Sequence, residues 1–195
     1  MRSKSSGEHP RQEVDPKKKA LVIGTSLRAK SNSQALADAF AVGAREAGNE
    51  VEELSLRGKD LAFCKGCLAC QKIGKCVIND DANAIAEKMK AADVIAFATP
   101  IYYYEMSGQM KTLLDRVNCL YDSDYRFQDI YLLSAAAEDE PEVDEGAIHG
   151  LKGWIACFER SRLAGIVVAA GVTDPGEIQG HPSIEKAHDM GASIH

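Results

Sequence analysis

Short apolar runs alternate along the chain with stretches in which apolar side chains recur every three or four positions. The apolar runs are typical of strands, and we predict five of them, at about residues 19–24, 51–56, 93–99, 130–134 and 165–171. In the intervening stretches one face is apolar, as with Leu36, Phe40 and Ala44 after the first strand, which indicates helices. This alternation predicts an α/β protein with a parallel sheet.

Right-handed crossovers between five such strands favour a doubly wound sheet of order 2-1-3-4-5, in three αβα layers. The polar second strand suits a sheet edge. The third is apolar throughout and is predicted to be buried on both faces and to end at Pro100. The later helices have inward faces at Ile85, Met89 and Ala92, at Met106, Met110, Leu113, Leu114 and Val117, and at Ile148, Leu151, Ile155 and Phe158, and the last helix begins near Ser183.

The bulk properties favour one domain, at residues 18–195, after a flexible tail at residues 1–17. A net charge of −6 argues against nucleic-acid or anionic-membrane partners. No apolar run has the length of a membrane-spanning helix, and no secretory segment follows Met1. We therefore expect a cytoplasmic protein.

The loop after the first strand carries hydroxyls and positive charge at the start of a helix, where free backbone N–H groups favour anions. In a doubly wound sheet, ligands bind at the carboxyl ends of strands one and three. The loop has neither the P-loop nor the Rossmann glycine pattern, so we predict a compact terminal phosphate. The same hydroxyls would also serve as a helix N-cap. The candidate residues are Ser26, Arg28, Ser31, Asn32 and Ser33.

The loop after the third strand contains three consecutive tyrosines, Tyr102 to Tyr104. Aromatic faces and backbone N–H groups suit a flat heterocycle with hydrogen-bonding edges. An exposed or intersubunit patch is the alternative. The candidates for bordering such a ring are Pro100, Ile101, Tyr102 and Tyr103.

Four of the six cysteines, Cys64, Cys67, Cys70 and Cys76, have the spacing C-x2-C-x2-C-x5-C. Four thiolates at this spacing can surround one [4Fe–4S] cluster. Zinc is disfavoured, because zinc ribbons separate two C-x2-C pairs by a longer span. Free thiols and a disulfide stay open. We expect the run to lie in the loop after strand two, next to the predicted ring, and Cys119 and Cys157 to be core residues.

Two segments carry a resemblance to known families. Residues 24–33 resemble the flavin-phosphate loop, and residues 99–111 the ring-bordering segment, of NAD(P)H-dependent FMN reductases and iron–sulfur flavoproteins in the flavodoxin-like superfamily. The cysteine run resembles that of the iron–sulfur flavoproteins, although related reductases carry a similar run without a cluster. The resemblance implies a flavodoxin-like fold in which FMN is bound by the phosphate-loop and ring-loop residues named above.

The function implied by this resemblance is an FMN-dependent oxidoreductase that takes reducing equivalents from NAD(P)H. Its acceptor would be a small molecule such as a quinone or a flavin. The flavin carries the chemistry, so no catalytic acid or base is named. The alternative is an iron–sulfur flavoprotein that relays electrons through FMN and a [4Fe–4S] cluster. Relatives of this kind are commonly oligomers, which implies a homodimer or homotetramer.

Overall fold

The computed structural model describes residues 17–195. The predicted tail at residues 1–17 lies outside the described residues except for Lys17, which is exposed. No helix within the described part of the chain is long and apolar enough to cross a membrane.

Within residues 17–195, five parallel strands form the sheet in the spatial order β2-β1-β3-β5-β6. This is the predicted order, and the numbers differ only because a two-residue strand, β4, pairs antiparallel with the end of β3. β2 is an exposed edge strand, as its polar sequence predicted, whereas the central part of β3 is buried. The strands are β1 (Lys19–Gly24), β2 (Glu50–Ser55), β3 (Val94–Tyr102), β4 (Glu105–Met106), β5 (Asp129–Ala135) and β6 (Arg162–Ala169).

Helices cover both faces of the sheet, which gives the predicted three layers. Their bounds are α1 (Asn32–Glu46), α2 (Ala69–Ile73), α3 (Asp81–Ala91), α4 (Gly108–Arg116), α5 (Glu145–Ile155) and α6 (Ser183–Ala192). One apolar cluster joins the sheet to α1 and α6, and the other joins it to α3, α4 and α5. α1 and α6 touch through glycines: a Cβ on Gly43 would lie 2.0 Å from the carbonyl oxygen of His188.

Three local predictions were wrong. β3 continues through Pro100 to Tyr102. The carbonyl of Ala98 faces β1, and because strand residues alternate, the nitrogen of Pro100 faces the same side. β1 has already ended at that point, so the missing N–H of the proline costs no hydrogen bond of the sheet. Met106 lies in β4 and not in the helix that follows. The last strand begins and ends earlier than predicted, at Arg162 and Ala169. The short helix α2 had no counterpart in the prediction.

A buried ion pair joins α3 to the end of α4. The Nη1 and Nη2 atoms of Arg116 lie 2.6 Å and 2.7 Å from the two carboxylate oxygens of Asp80. Asp80 is also the N-cap of α3 and accepts from the backbone N–H of Ala82. These contacts, led by the hydrogen bond from Arg116, hold the pKa of Asp80 below its ordinary value. Since both side chains are buried, each charge depends on the other.

We predict that Asp80→Asn lowers the free energy of unfolding by about 3–5 kcal/mol at neutral pH, because Arg116 is left as a buried unpaired charge. Asparagine still caps a helix, so the loss reports the charge and not the cap. The folded-state pKa of Asp80 is depressed, so its contribution is present above the ordinary value of 3.8 and is lost as pH falls below it. Denaturant unfolding at neutral and acidic pH measures both effects.

The control is Asp115→Asn, which removes an exposed pair with Lys111. It should cost no more than about 0.5 kcal/mol. Equal losses in the two variants would contradict the importance assigned to the buried pair.

Candidate functional site

A hydroxyl network joins the carboxyl ends of β1 and β3. Thr25 donates its N–H and its hydroxyl to the carbonyl oxygen of Ala98, at 2.8 Å and 3.0 Å. Its Oγ1 also lies 3.0 Å from the Oγ of Ser107, the N-cap of α4. The N–H of Ser107 in turn donates to the hydroxyl of Thr99. The loop after β1 and the loop after β3 are therefore neighbours, as the sheet order predicted.

The first cavity, of about 160 Å³, lies between these two loops. All five predicted phosphate residues line it, together with Pro100, Ile101 and Tyr102. Ser31 is the N-cap of α1 and accepts from the N–H of Gln34, and its Oγ lies 2.9 Å from that of Ser33. Ser31 thus caps α1 and also lines the cavity, so a role as helix cap and a role in anion binding are compatible.

Arg28 and Asn32 connect the same loop to the segment after β6. Arg28 donates from Nη1 to the carbonyl oxygen of Thr173 at 2.7 Å. The amide of Asn32 donates to the carbonyl of Asp174 and accepts from the N–H groups of Gly176 and Ile178. The Asn32 amide is therefore engaged by protein groups, which gives it a role in fixing the loop.

The remaining wall of this cavity was not predicted in full. Val172 and Thr173 contribute to it from the segment after β6, and Ala135 and Ala137 contribute from the end of β5. Only a weak indication in the sequence points to the alanines: they follow the fourth predicted strand, and loops at this edge of a parallel sheet tend to contact ligands. Thr25 and Ser107 were missed because each connects the two loops only through its contact with the other, 82 positions away along the chain.

A two-residue hairpin between β3 and β4 shapes the predicted ring loop. Tyr103 and Tyr104 occupy its turn with φ of 52° and 65°, a left-handed conformation that usually selects glycine or asparagine. Tyr103 is 99% exposed. The hydroxyl of Tyr104 donates to Glu140 at 3.2 Å, and this hydrogen bond to a carboxylate raises the pKa of Tyr104. The hairpin is thereby connected to the loop between β5 and α5, which contains Glu140.

The first turn of α5 supports this hairpin by close approach. A Cβ on Gly146 would lie 2.5 Å from the carbonyl oxygen of Tyr104. Only glycine lets the two backbones come so near. The hairpin therefore rests on the helix, which fixes where the tyrosines stand.

A second cavity, of about 310 Å³, lies beside the hairpin. Its walls are mainly apolar and aromatic, and it shares Ile101, Tyr102 and Ala137 with the first cavity. The two cavities together offer hydroxyls and a helix N-terminus at one end and an aromatic surface at the other. Within residues 17–195 no carboxylate lines the first cavity. The pair of cavities suits a molecule with a compact anion attached to a flat ring system.

The third cavity, of about 410 Å³, is lined by all four cysteines of the run and by Cys157. No three His, Cys, Asp or Glu side chains among the described residues are arranged to hold a metal ion. The thiols would therefore have to converge to bind one group. The prediction for Cys157 was wrong, since it lies exposed after the end of α5, whereas Cys119 is buried and its burial raises its pKa.

Nitrogen donors contact two of the four sulfurs. The N–H of Gly66 donates to Cys64 Sγ, and Asn118 Nδ2 donates to Cys70 Sγ, both at 3.4 Å. The guanidinium of Arg116 lies beside Cys76, and the contacts to Asp80, then to Cys76, raise the pKa of Arg116. Hydrogen bonds from such donors to ligand sulfurs are one of the ways in which a protein tunes a bound metal or cluster.

The cysteine cavity is not beside the ring cavity of the same chain, contrary to the prediction. It shares no lining residue with the first two cavities and lies at Leu114, Asp115 and Arg116, the last turn of α4. The hydroxyl network lies at the first turn of that helix. A helix of nine residues spans about 13 Å, so α4 separates the two sites.

Comparisons with known proteins identify the family of the chain. The family model described as NADPH-dependent FMN reductase matches residues 18–140. An iron–sulfur flavoprotein of Archaeoglobus fulgidus is 30% identical over 180 residues, which cover 90% of this chain and 78% of the relative. Another, from Methanocaldococcus jannaschii, is 40% identical over 98 residues, or about half of each chain (50% and 51%).

Solved structures share the fold. An NAD(P)H:quinone oxidoreductase from Methanothermobacter marburgensis superposes with a TM-score of 0.72 at 16% identity, covering 92% of this chain and 98% of that one. An azoreductase from Bacillus anthracis gives a TM-score of 0.67 at 18% identity, covering 91% and 100%. An archaeal flavodoxin gives 0.55 at 15% identity, covering 90% and 95%. The predicted flavodoxin-like fold is confirmed.

Proposed function

The chain belongs to the NADPH-dependent FMN reductase family and is a flavin oxidoreductase, and from this premise we propose how it binds FMN and which acceptor it serves. The observation that carries the proposal is the cavity at the ends of β1 and β3, where hydroxyls and a helix N-terminus adjoin an aromatic surface. In this proposal the FMN phosphate occupies the first cavity and the isoalloxazine ring occupies the second.

The phosphate end is held by groups that suit an anion. The hydroxyls of Ser26, Ser31 and Ser33 line the cavity beside the free N–H groups of α1. Arg28 supplies a positive charge and a charge-assisted hydrogen bond. Asn32 holds the loop to the segment after β6 through its three hydrogen bonds, which keeps the hydroxyls in place.

The ring end is bordered by Pro100, Ile101, Tyr102 and Tyr103. A bound FMN supplies hydride and electron transfer, and the chain supplies anchorage, ring orientation and a route for the second substrate. Tyr102 and Tyr103 are exposed, which supports access to the ring from outside. We infer that the acceptor is a small flat molecule such as a quinone or a flavin. The exposed hairpin also supports assembly into a homodimer or homotetramer.

We predict that NADPH or NADH reduces the bound FMN, because nicotinamide is the hydride donor in this family. Anaerobic stopped-flow mixing follows the loss of the flavin's visible absorbance, and adding a quinone afterwards should restore it. Dithionite serves as the control for a reducible flavin. A flavin that dithionite reduces but neither nucleotide reduces would contradict the reductase proposal.

We predict that the double variant Ser26→Ala with Arg28→Ala weakens FMN binding by roughly 100-fold. The estimate takes about 3 kcal/mol for losing a hydroxyl and a charged hydrogen bond, at 1.4 kcal/mol per tenfold change. Fluorescence titration of the flavin-free protein with FMN measures the dissociation constant.

The matched control for that titration is Lys30→Gln, which removes a positive charge from the same loop at a residue that does not line the cavity. Its FMN affinity should stay close to that of the wild type. The phosphate assignment fails if the double variant binds FMN as tightly as the control.

A second candidate function is an electron relay through FMN and a [4Fe–4S] cluster. The relatives compared above are named iron–sulfur flavoproteins, and four cysteines of this chain line one cavity, with nitrogen donors at the sulfurs of Cys64 and Cys70. The donor set of four thiols suits a cluster, which supplies single-electron transfer when bound. We propose that Cys64, Cys67, Cys70 and Cys76 are its ligands.

We predict about four iron and four sulfide per chain after purification without oxygen, as one [4Fe–4S] cluster requires. Cys70→Ala should lose most of this iron and keep its FMN, since the two sites share no residue. Colorimetric assays measure iron and sulfide, and the visible absorbance of the flavin measures FMN. The control is Cys157→Ala, a thiol of the same cavity outside the motif, which should keep its iron. Equal loss in both variants, or no iron in the wild type, would refute the ligand assignment.

A further inference from the structure

The buried guanidinium of Arg116 forms part of the wall of the cysteine cavity. The residue is 1% exposed, and its two terminal nitrogens are occupied by Asp80 and by the carbonyl oxygens of Ala62 and Ile78. Its Nε is the one buried side-chain nitrogen or oxygen in residues 17–195 that has no hydrogen-bond partner. A buried N–H without an acceptor is costly, so this atom indicates a missing partner.

The ion pair fixes this donor at the end of the cysteine run. Asp80 holds the guanidinium by two hydrogen bonds, and Cys76 lines the same cavity as Arg116. The backbone of Cys76 is held as well, because its N–H donates to Asn83 and its carbonyl accepts from the same amide. The backbone of Cys76 is therefore fixed, and the Nε–H of Arg116 is the donor in this region that is left without an acceptor.

We propose that Arg116 is a positioning residue of the cysteine site, which donates its Nε–H to a sulfur of the group that the four thiols bind and so raises that group's reduction potential. The inference rests on the proposed [4Fe–4S] cluster. A hydrogen bond to sulfur stabilises the more negative, reduced state of a cluster, and such partners also strengthen retention of the metal. This role explains why a charged side chain is buried here and why its Nε has no partner within the protein.

The test compares Arg116→Lys with the wild type, both purified without oxygen. Lysine keeps the positive charge beside Asp80 and lacks the Nε–H donor. We expect unchanged FMN content, a cluster midpoint potential shifted to more negative values, and iron release to a chelator that is about tenfold faster. Redox titration followed by electron paramagnetic resonance gives the potential. The control, Arg126→Lys, alters an exposed Arg–Asp pair outside the cavity and should match the wild type.

Two further measurements keep the inference testable if Arg116→Lys does not fold. The double variant Asp80→Asn with Arg116→Gln replaces the ion pair by a neutral pair and should show the same negative shift in potential. Hyperfine spectroscopy on reduced wild-type protein labelled with nitrogen-15 arginine should detect coupling between one arginine nitrogen and the cluster. Absence of that coupling overturns the inference, as does a wild-type potential in either folded variant.

The outcomes separate the two proposals. A wild type without iron removes the cluster and this inference together. A wild type with full iron, an unshifted potential in Arg116→Lys and no arginine coupling removes the inference alone. A negative shift with arginine coupling supports both.

Discussion

The parallel pairing of β1 with β3 is the constraint on which the candidate site depends. Gly24 stands opposite Ala98, so both strands deliver their next residues to one edge of the sheet. Thr25 then bonds to Ala98 and to Ser107, which connects the two loops through buried hydroxyls. Without this pairing the serines of one loop and the tyrosines of the other would lie apart, and neither loop alone offers both an anion site and an aromatic surface.

The cysteine run depends on a different kind of interaction. Its short helix α2 buries no side chain, so hydrophobic burial contributes little to its conformation. Polar contacts replace it: the Asp80–Arg116 pair, the Asn83 amide on Cys76, and the Asn118 amide on Cys70. The cysteines before Cys76 are held by fewer contacts than Cys76 and can still adjust locally, which suits thiols that must converge on a shared group.

The two sites are connected through α4. Its N-terminus is capped by Ser107 in the hydroxyl network, and its last residue, Arg116, forms part of the wall of the cysteine cavity. The flavin reductase chemistry needs only the first and second cavities, where electrons move in pairs as hydride. A cluster in the cysteine cavity would add single-electron chemistry. Both interpretations of the function therefore use the same fold and differ in whether the cavity at the end of α4 holds a cluster.

The sequence by itself determined the sheet order, the edge position of β2 and the meeting of the two loops. These follow from apolar periodicity, which is a local signal, and from the general right-handedness of crossovers, which applies to any chain of this pattern. The tertiary structure decided what depends on residues far apart along the chain: Asn32 binds Ile178 across 146 positions, and Arg116 binds Asp80 across 36. It also placed the cysteines at the far end of α4 and Cys157 in their cavity. No local pattern encodes such pairs, because each side chain gains its role only when folding brings its partner within hydrogen-bonding distance.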